Sequence, residues 1–416
     1  MNLLKTSFYT SISTAVTFLS GFIVTKVVAV EIGPAGLAYV GQYQNSIAIL
    51  ALFSTLAITV GVVKYISGYK DDVAKQQQVI TTALSIILLC SFIVTIIVMP
   101  LSVYFSKVTF HTTDFWMVYM LYGLFVVITA LNALFSAVLN GFKQIRNLTI
   151  VNIVGSLTGI LFTVIFALSL GVKGVLIASN FTALIIFSIH IFFIRKLKWI
   201  SWKPNFKKWD KQTVRLLFAF TLMGVTSGFA VSAMQFMVRE RIIDQFSIVD
   251  AGCWQAVTRI SDYYLAFITT VLSVYYLPRL SEINSNAELR KEIIQGYKII
   301  LPAVGALAFI IWLCKVWVVR ILFTADFLPM LPLFKYQLLG DFLKIGSWLI
   351  GYIMVSKALT KTFIFTELFF SASFVLLSYY FMNRYGVIGT TYAFCINYAI
   401  YWIIMWLLMK KYFVSR

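Results

Sequence analysis

Twelve long, mostly apolar runs follow one another along the chain, at 8–30, 37–63, 79–103, 115–139, 147–170, 174–194, 213–238, 252–278, 296–318, 334–357, 361–382 and 386–409. A helix rises about 1.5 Å per residue, so roughly 20 residues cross a hydrocarbon core about 30 Å thick. In lipid the backbone must satisfy its own polar groups, and continuous runs of this length do so as helices. Composition agrees. The chain is 61% hydrophobic and only 12% charged, against about 25% charged in an average soluble domain. That little charge excludes a disordered chain, a secreted disulfide scaffold and an ordinary soluble enzyme, and predicts an all-α integral membrane protein. The stretch from Phe8 to Val30 is too long for the apolar region of a signal peptide and lacks a small-residue cleavage site after it, so it is expected to be the first span.

Basic residues orient the spans. With the amino terminus inside, 23 of the 34 Lys and Arg residues fall on cytoplasmic segments, eight of them between Arg195 and Arg215. This bias predicts a multi-pass protein with both termini in the cytoplasm. In a soluble protein the formal charge of +19 would suggest nucleic acid. On this chain it reads instead as cytoplasmic loops and an anionic partner at the bilayer, with no nucleic acid.

The two halves repeat each other. At an offset of 215, Gly171-Val-x-Gly174 falls on Gly386-Val-x-Gly389, Arg195-Lys196 on Lys410-Lys411, Lys64 on Arg279 and Arg146 on Lys361; one residue further, Ala35-Gly36 falls on Ala251-Gly252. Six spans per half is an even number, so both halves insert the same way. The expected architecture is twelve transmembrane helices in two six-helix lobes, 1–198 and 213–416, related by a parallel repeat about the membrane normal. A basic cytoplasmic linker, 199–212, containing Trp199, Trp202, Pro204 and Trp209, joins them.

An ionisable side chain at the bilayer centre costs at least about 2.5 to 3.5 kcal/mol, which makes each one a functional candidate. The eighth span carries Gln255, Arg259 and Asp262 at i, i+4 and i+7, one helical face, with Tyr263 beside it. The tenth carries Asp341 and Lys344 at i and i+3. Both spans run from outside to inside, and both pairs lie about 10 to 15 Å below the outer boundary. A shared depth suggests a shared cavity; the plainer alternative is two self-neutralising ion pairs that pack helices. Lys26 and Lys315 add positive charge toward the outer half, or snorkel to the interface. Glu367 has no basic residue within one turn of its own helix, which makes it the candidate proton carrier unless another helix hydrogen-bonds it. Gln42, with Tyr39, Tyr43 and Ser46, and Asn132, with Ser136 and Asn140, form uncharged polar faces. Such faces serve interhelical hydrogen bonds or, in a sugar-handling protein, glycan hydroxyls. Lys64 and Arg279, matched across the repeat, are placed at the cytoplasmic mouth.

Catalytic groupings are absent. The loop carboxylates do not pair as acid and base, and no nucleophile context or phosphate-cradling glycine loop occurs. Cys90, Cys253, Cys314 and Cys395 sit in or beside apolar runs as small hydrophobes, and His111 and His190 have no ligand partners at metal spacing. Neither a metal nor a cofactor is expected, and the chain is not read as an enzyme.

The stretches Ile32-Gly-Pro-Ala-Gly-Leu37, Val63-Lys-Tyr65, Trp254-Gln255, Ile260-Ser-Asp-Tyr263, Ser273-Val-Tyr275, Leu277-Pro278, Leu339-Gly-Asp341 and Leu343-Lys344 resemble the Wzx-type flippases. These belong to the multidrug/oligosaccharidyl-lipid/polysaccharide exporter superfamily, and the likeness is to the flippases for enterobacterial common antigen and O-antigen repeat units. The resemblance implies movement of an undecaprenyl-diphosphate-linked oligosaccharide from the cytoplasmic to the periplasmic leaflet of a bacterial inner membrane by alternating access. It makes Arg259, Asp262, Asp341 and Lys344 family-type positions, and implies the polymerase and chain-length regulator of the same pathway as protein partners. The prenyl tail would stay in the bilayer, since about 55 carbons at roughly 0.8 kcal/mol per CH₂ oppose its entry into a polar cavity. The alternatives are a cation-coupled multidrug antiporter of the same superfamily, which calls for an acidic cavity, and a membrane polymerase or acyltransferase, which calls for a large outer loop.

Overall fold

A computed structural model describes residues 3–69, 72–197, 202, 210–283, 285–357 and 359–412. Most of the 199–212 linker lies outside the described residues. The first half comprises α1 (Leu3–Glu31), α2 (Gly33–Thr55), α3 (Thr59–Gly68), α4 (Val73–Val98), α5 (Ser102–Phe110), α6 (Trp116–Gly141) and α7 (Ile145–Ile194). The second comprises α8 (Lys211–Gln245), α9 (Ile248–Val271), α10 (Leu277–Glu282), α11 (Asn286–Leu313), α12 (Lys315–Leu322), α13 (Leu333–Ser356), α14 (Thr360–Tyr385) and α15 (Gly389–Met409). No strand occurs among the described residues.

Among the described residues, twelve helices of span length result when α2 is taken with α3, the two arms of α7 are taken separately, α9 continues through a π turn at Leu272–Tyr276 into α10, and the short α5 and α12 are left out. Leu168, Trp317 and Leu376 are among many large apolar side chains that stand exposed, as lipid-facing positions must.

The repeat read from the sequence has a physical cause. Gly171 breaks α7 at φ 58°, ψ −135°, and Gly386 ends α14 at φ 70°, ψ −158°. Both lie where essentially only glycine is tolerated. Three residues on, a Cβ on Gly174 would lie 2.0 Å from the Phe166 carbonyl oxygen, and one on Gly389 would lie 2.4 Å from that of Phe381. Phe166 and Phe381 are themselves 215 apart, so each half makes the same tight reversal between its last two spans.

One break was not visible in the sequence. The run 37–63 was expected to be one helix, but Leu56 (φ 47°) and Ala57 (φ 50°) turn left-handed, and α3 leaves α2 at 46°. The Ser54 and Thr55 hydroxyls donate back to the Ala51 carbonyl at 2.9 and 3.0 Å, and a Cβ on Gly224 of α8 would lie 2.9 Å from the Ala57 methyl group. Packing therefore sets a bend that no Gly or Pro at the bend itself announces, the glycines of the run lying at 41 and 61.

By compactness the chain divides into two units, Met1–Ile32 with Tyr39–Ser232, and Gly33–Ala38 with Ala233–Arg416. Within the first, Thr149 donates to the Tyr9 carbonyl, Asn152 to Ser13, and Ser156 pairs with Thr17. Residue numbers rise together on both helices, so α1 runs parallel to the first arm of α7, as an even number of intervening reversals requires. Ile66, Ile80, Leu134 and Val138 form the core of this unit. In the second unit, Gly340 meets the Phe394 ring and Gly346 the Trp402 ring, which places α13 parallel to α15; Tyr276, Leu349, Ile353 and Met405 fill the core there. Outside the spans, the Lys75 amide and ammonium hold the Asp72 carboxyl below the usual carboxylate range, and Asp210 caps α8 by accepting from the Thr213 amide at 2.7 Å.

Candidate functional site

The second unit gathers the charged residues of the eighth and tenth spans. α9 starts at Ser247, whose Oγ accepts from the Asp250 amide at 3.0 Å and donates to the Asp250 carboxylate at 2.6 Å. Close to this start, a Cβ on Gly252 would fall 1.9 Å from the Pro34 carbonyl oxygen, so only glycine lets α9 lie against the first turn of α2. From there Gln255, Arg259 and Asp262 run down one face, as their spacing predicts.

Asp341 is wholly buried. Its Oδ2 accepts from Ser261 Oγ at 2.6 Å and from the Tyr264 hydroxyl at 2.8 Å, and its Oδ1 from Gln337 Nε2 at 3.3 Å. Three donors satisfy a carboxylate in an apolar setting without a counter-charge in contact. The i, i+3 bridge to Lys344 suggested by the sequence is not formed among the described residues. Lys344 turns instead to aromatic rings, with Nζ 4.9 Å from the Trp348 centroid, 5.8 Å from Tyr398 and 6.0 Å from Phe394. Gly340 and Gly346 allow α15 to bring two of those rings close. Contacts of this kind are worth roughly 0.5 to 2 kcal/mol each. They hold an ammonium in place while leaving its charge available to an incoming anion.

Asp262 is exposed and lies within electrostatic reach of Lys344 and Arg259. Glu367 also belongs to this neighbourhood, within reach of the Tyr398 and Tyr401 phenols. The expectation of an isolated carboxylate, drawn from its own helix alone, omitted what α15 contributes.

Gln255 has a different role from the one its spacing suggested. It is 5% exposed, and its Oε1 accepts from Arg239 Nη2. Arg239 is 1% exposed and lies over the Trp254 ring, 5.4 Å away. Arg239 falls one residue beyond the run 213–238 and is therefore not among the intramembrane candidates that the sequence singles out; its closeness to an apolar run is the available signal. Likewise Tyr264, not Tyr263, donates to Asp341. Arg279 is exposed on α10, 3.5 Å from Glu292 and 3.9 Å from Glu282. Lys26, Gln42 and Lys64 belong to the first unit, where Lys26 is exposed, Gln42 is fully buried and Lys64 lies 5.8 Å from the Tyr65 ring.

A family model described as polysaccharide biosynthesis protein matches residues 3–284. The chain belongs to that family. Family members named lipid III flippase, from Escherichia coli (strain K12) and Shigella flexneri, are each 30% identical over 407 residues, covering 96% of this chain and 96% of theirs. These matches bear out the resemblance to Wzx-type flippases, and the relatives are named as flippases and transporters, not enzymes. Among solved structures, the family fold resembles an inward-facing multidrug resistance MATE family transporter of the MOP superfamily, with a TM-score of 0.78 and 16% identity over 98% of this chain and 97% of that one. A MOP superfamily transporter from Pyrococcus furiosus gives 0.76 and 15% over 98% and 94%. At such identities the likeness shows the fold alone, that of a multi-pass helical membrane protein.

Gln255→Ala is expected to act on stability. It removes an acceptor from a buried guanidinium, a loss of roughly 1.5 to 3 kcal/mol. The melting temperature of the purified protein should fall, while Gln255→Glu, which restores an acceptor, should recover part of it; an unchanged melting temperature in the alanine variant would show that Arg239 does not depend on this bond.

Proposed function

We propose that the protein is a flippase that moves an undecaprenyl-diphosphate-linked oligosaccharide, of the enterobacterial common antigen or O-antigen type, from the cytoplasmic to the periplasmic leaflet of a bacterial inner membrane. Both termini face the cytoplasm in this reading, and the two halves alternate access. The observation that carries it is the setting of Lys344, a cation held by three rings with no carboxylate in contact among the described residues, with Arg259 in the same unit. An unpaired diphosphate in a low-dielectric medium costs tens of kcal/mol. Fixed cations near Asp262 lower that cost while the prenyl tail stays in lipid. The names of the 30% identical relatives support the same substrate class.

The test is reconstitution in proteoliposomes with undecaprenyl-diphosphate-linked oligosaccharide, scoring transfer by the accessibility of the glycan to an external lectin. Transfer above the protein-free rate is expected. Export of cationic dyes with no glycan transfer would replace this reading with the multidrug antiporter.

Energy enters through charge. Each elementary charge crossing the potential is worth about 2.3 kcal/mol per 100 mV, so two negative charges leaving a negative interior gain roughly 4 to 5 kcal/mol. Glu367, beside Tyr398 and Tyr401, is the proposed proton carrier of the return step. Glu367→Gln should abolish the response to a pH gradient and keep the response to potential; a variant that follows pH as the wild type does would leave Glu367 a packing residue.

A further inference from the structure

A cavity of 490 Å³ lies wholly within the first unit, among α1, α6 and the two arms of α7. Its size falls in the range of about 300 to 1,000 Å³ common for small-ligand sites. Thr17, Asn132, Ser136, Asn152 and Ser156 supply its polar wall, and Ala133, Gly155 and the Ile186 side chain packed on that glycine supply the apolar part. Among the described residues, none of the side chains lining it is ionisable.

Hydrogen bonding fixes what this wall offers. Asn132 Nδ2 donates to the Ala183 carbonyl at 2.8 Å, so its Oδ1 faces His190 Nδ1 at 3.0 Å, and that ring nitrogen carries the proton. His190 is 1% exposed and bonded to neutral groups. In the neutral imidazole the second nitrogen is an acceptor. It accepts a hydrogen bond from the Ser136 hydroxyl at 3.1 Å, which leaves the Ser136 oxygen to line the cavity as an acceptor. Asn152 Nδ2 donates to Ser13 Oγ at 3.1 Å, so its Oδ1 remains as a second acceptor.

The repeat shows that packing alone does not require this arrangement. At the offset of 215, Asn132, Ser136 and His190 correspond to Ser347, Gly351 and Met405, and Ala133 and Gly155 to Trp348 and Phe370. The second half builds the same helix pairs without the polar triad and with large rings where the first half has Ala133 and Gly155.

We infer that this cavity is a subsite for a neutral sugar ring of the lipid-linked head group, an inference that rests on the flippase reading. Sugar hydroxyls and acetamido N–H groups are donors that match the acceptors on the wall, and the Ala133 and Gly155 surfaces suit the C–H face of a ring. A diphosphate finds no cation there, and a cationic guest finds no counter-ion.

The test uses the full-length protein in nanodiscs carrying Ala133→Cys, with N-ethylmaleimide labelling at residue 133 followed by peptide mass. N-acetylglucosamine at about twice its Kd, where two-thirds of the sites are filled, should slow labelling about threefold, while inorganic pyrophosphate and tetraphenylphosphonium leave the rate unchanged. Adding Ser136→Ala or Asn152→Ala should abolish the protection without altering the rate in the absence of sugar, which shows that the protein remains folded. No protection by the sugar, or equal protection by pyrophosphate or the cation, would overturn the subsite. Protection needs no translocation, so protection without transfer in proteoliposomes would overturn the flippase reading alone, and transfer without protection would overturn the subsite alone.

Discussion

Lys344→Ala and Arg259→Ala are each expected to abolish display of surface glycan in cells, at expression equal to wild type. A hydrogen bond to a charged group is worth roughly 1.5 to 3 kcal/mol, so removing one cation should slow transfer in proteoliposomes by about ten- to hundredfold. Charge and shape can be separated at both positions. Lys344→Met keeps a long apolar stem between Trp348, Tyr398 and Phe394 but loses the ammonium, and should behave as the alanine variant does. Arg259→Lys keeps the charge and loses the planar fork, and should retain part of the rate. Normal glycan display by the double alanine variant would show that the two cations are packing residues and that the diphosphate is neutralised elsewhere. A melting temperature close to wild type in Lys344→Met is the control that assigns its defect to charge.

How far the sequence reaches can be judged residue by residue. Continuous apolar runs carried the helices of span length, and the Gly-Val-x-Gly repeat carried the matching reversals at Gly171 and Gly386, because helix length and a glycine-only backbone conformation are local properties. The shared neighbourhood of Asp262, Asp341, Arg259 and Lys344 was legible as well, since helical spacing and depth along a span follow from chain position alone. Partner choice was not. Spacing on α13 pairs Asp341 with Lys344, yet Ser261 and Tyr264 reach it from α9, and the ring cage around Lys344 depends on α15 lying close at Gly340 and Gly346. The bend at Leu56–Ala57 is hidden for the same reason: nothing local favours left-handed turns at leucine and alanine, which cost roughly 1 to 2 kcal/mol each, and only the approach of Gly224 reveals them. Arg239 illustrates a further limit, in that a boundary drawn by hydropathy separates a charge from the span that buries it.

Alanine at Gly174 or Gly389 is expected to prevent correct assembly of the unit that contains it. A methyl group there would stand 2.0 Å from the Phe166 carbonyl oxygen in the first case and 2.4 Å from the Phe381 oxygen in the second. Both are far inside van der Waals contact and both involve backbone, which cannot swing away as a side chain can. Overpacking of a well-filled interior costs roughly 1 to 3 kcal/mol, and a clash with main chain belongs at the upper end. The reversal must open, and opening it separates the last two spans of that half, the pair that includes α14 and α15 around Asn397, whose Nδ2 donates to the Phe370 carbonyl at 3.2 Å. Fluorescence-detected size exclusion of a tagged protein should show a marked loss of the monodisperse peak for each variant. Gly159→Ala supplies the comparison, because the nearest atoms to its added methyl group, on Thr182, are 3.9 Å away, and it should elute as wild type. If Gly174→Ala and Gly389→Ala also eluted as wild type, the close reversal at the end of each half would not be what holds its last two spans together.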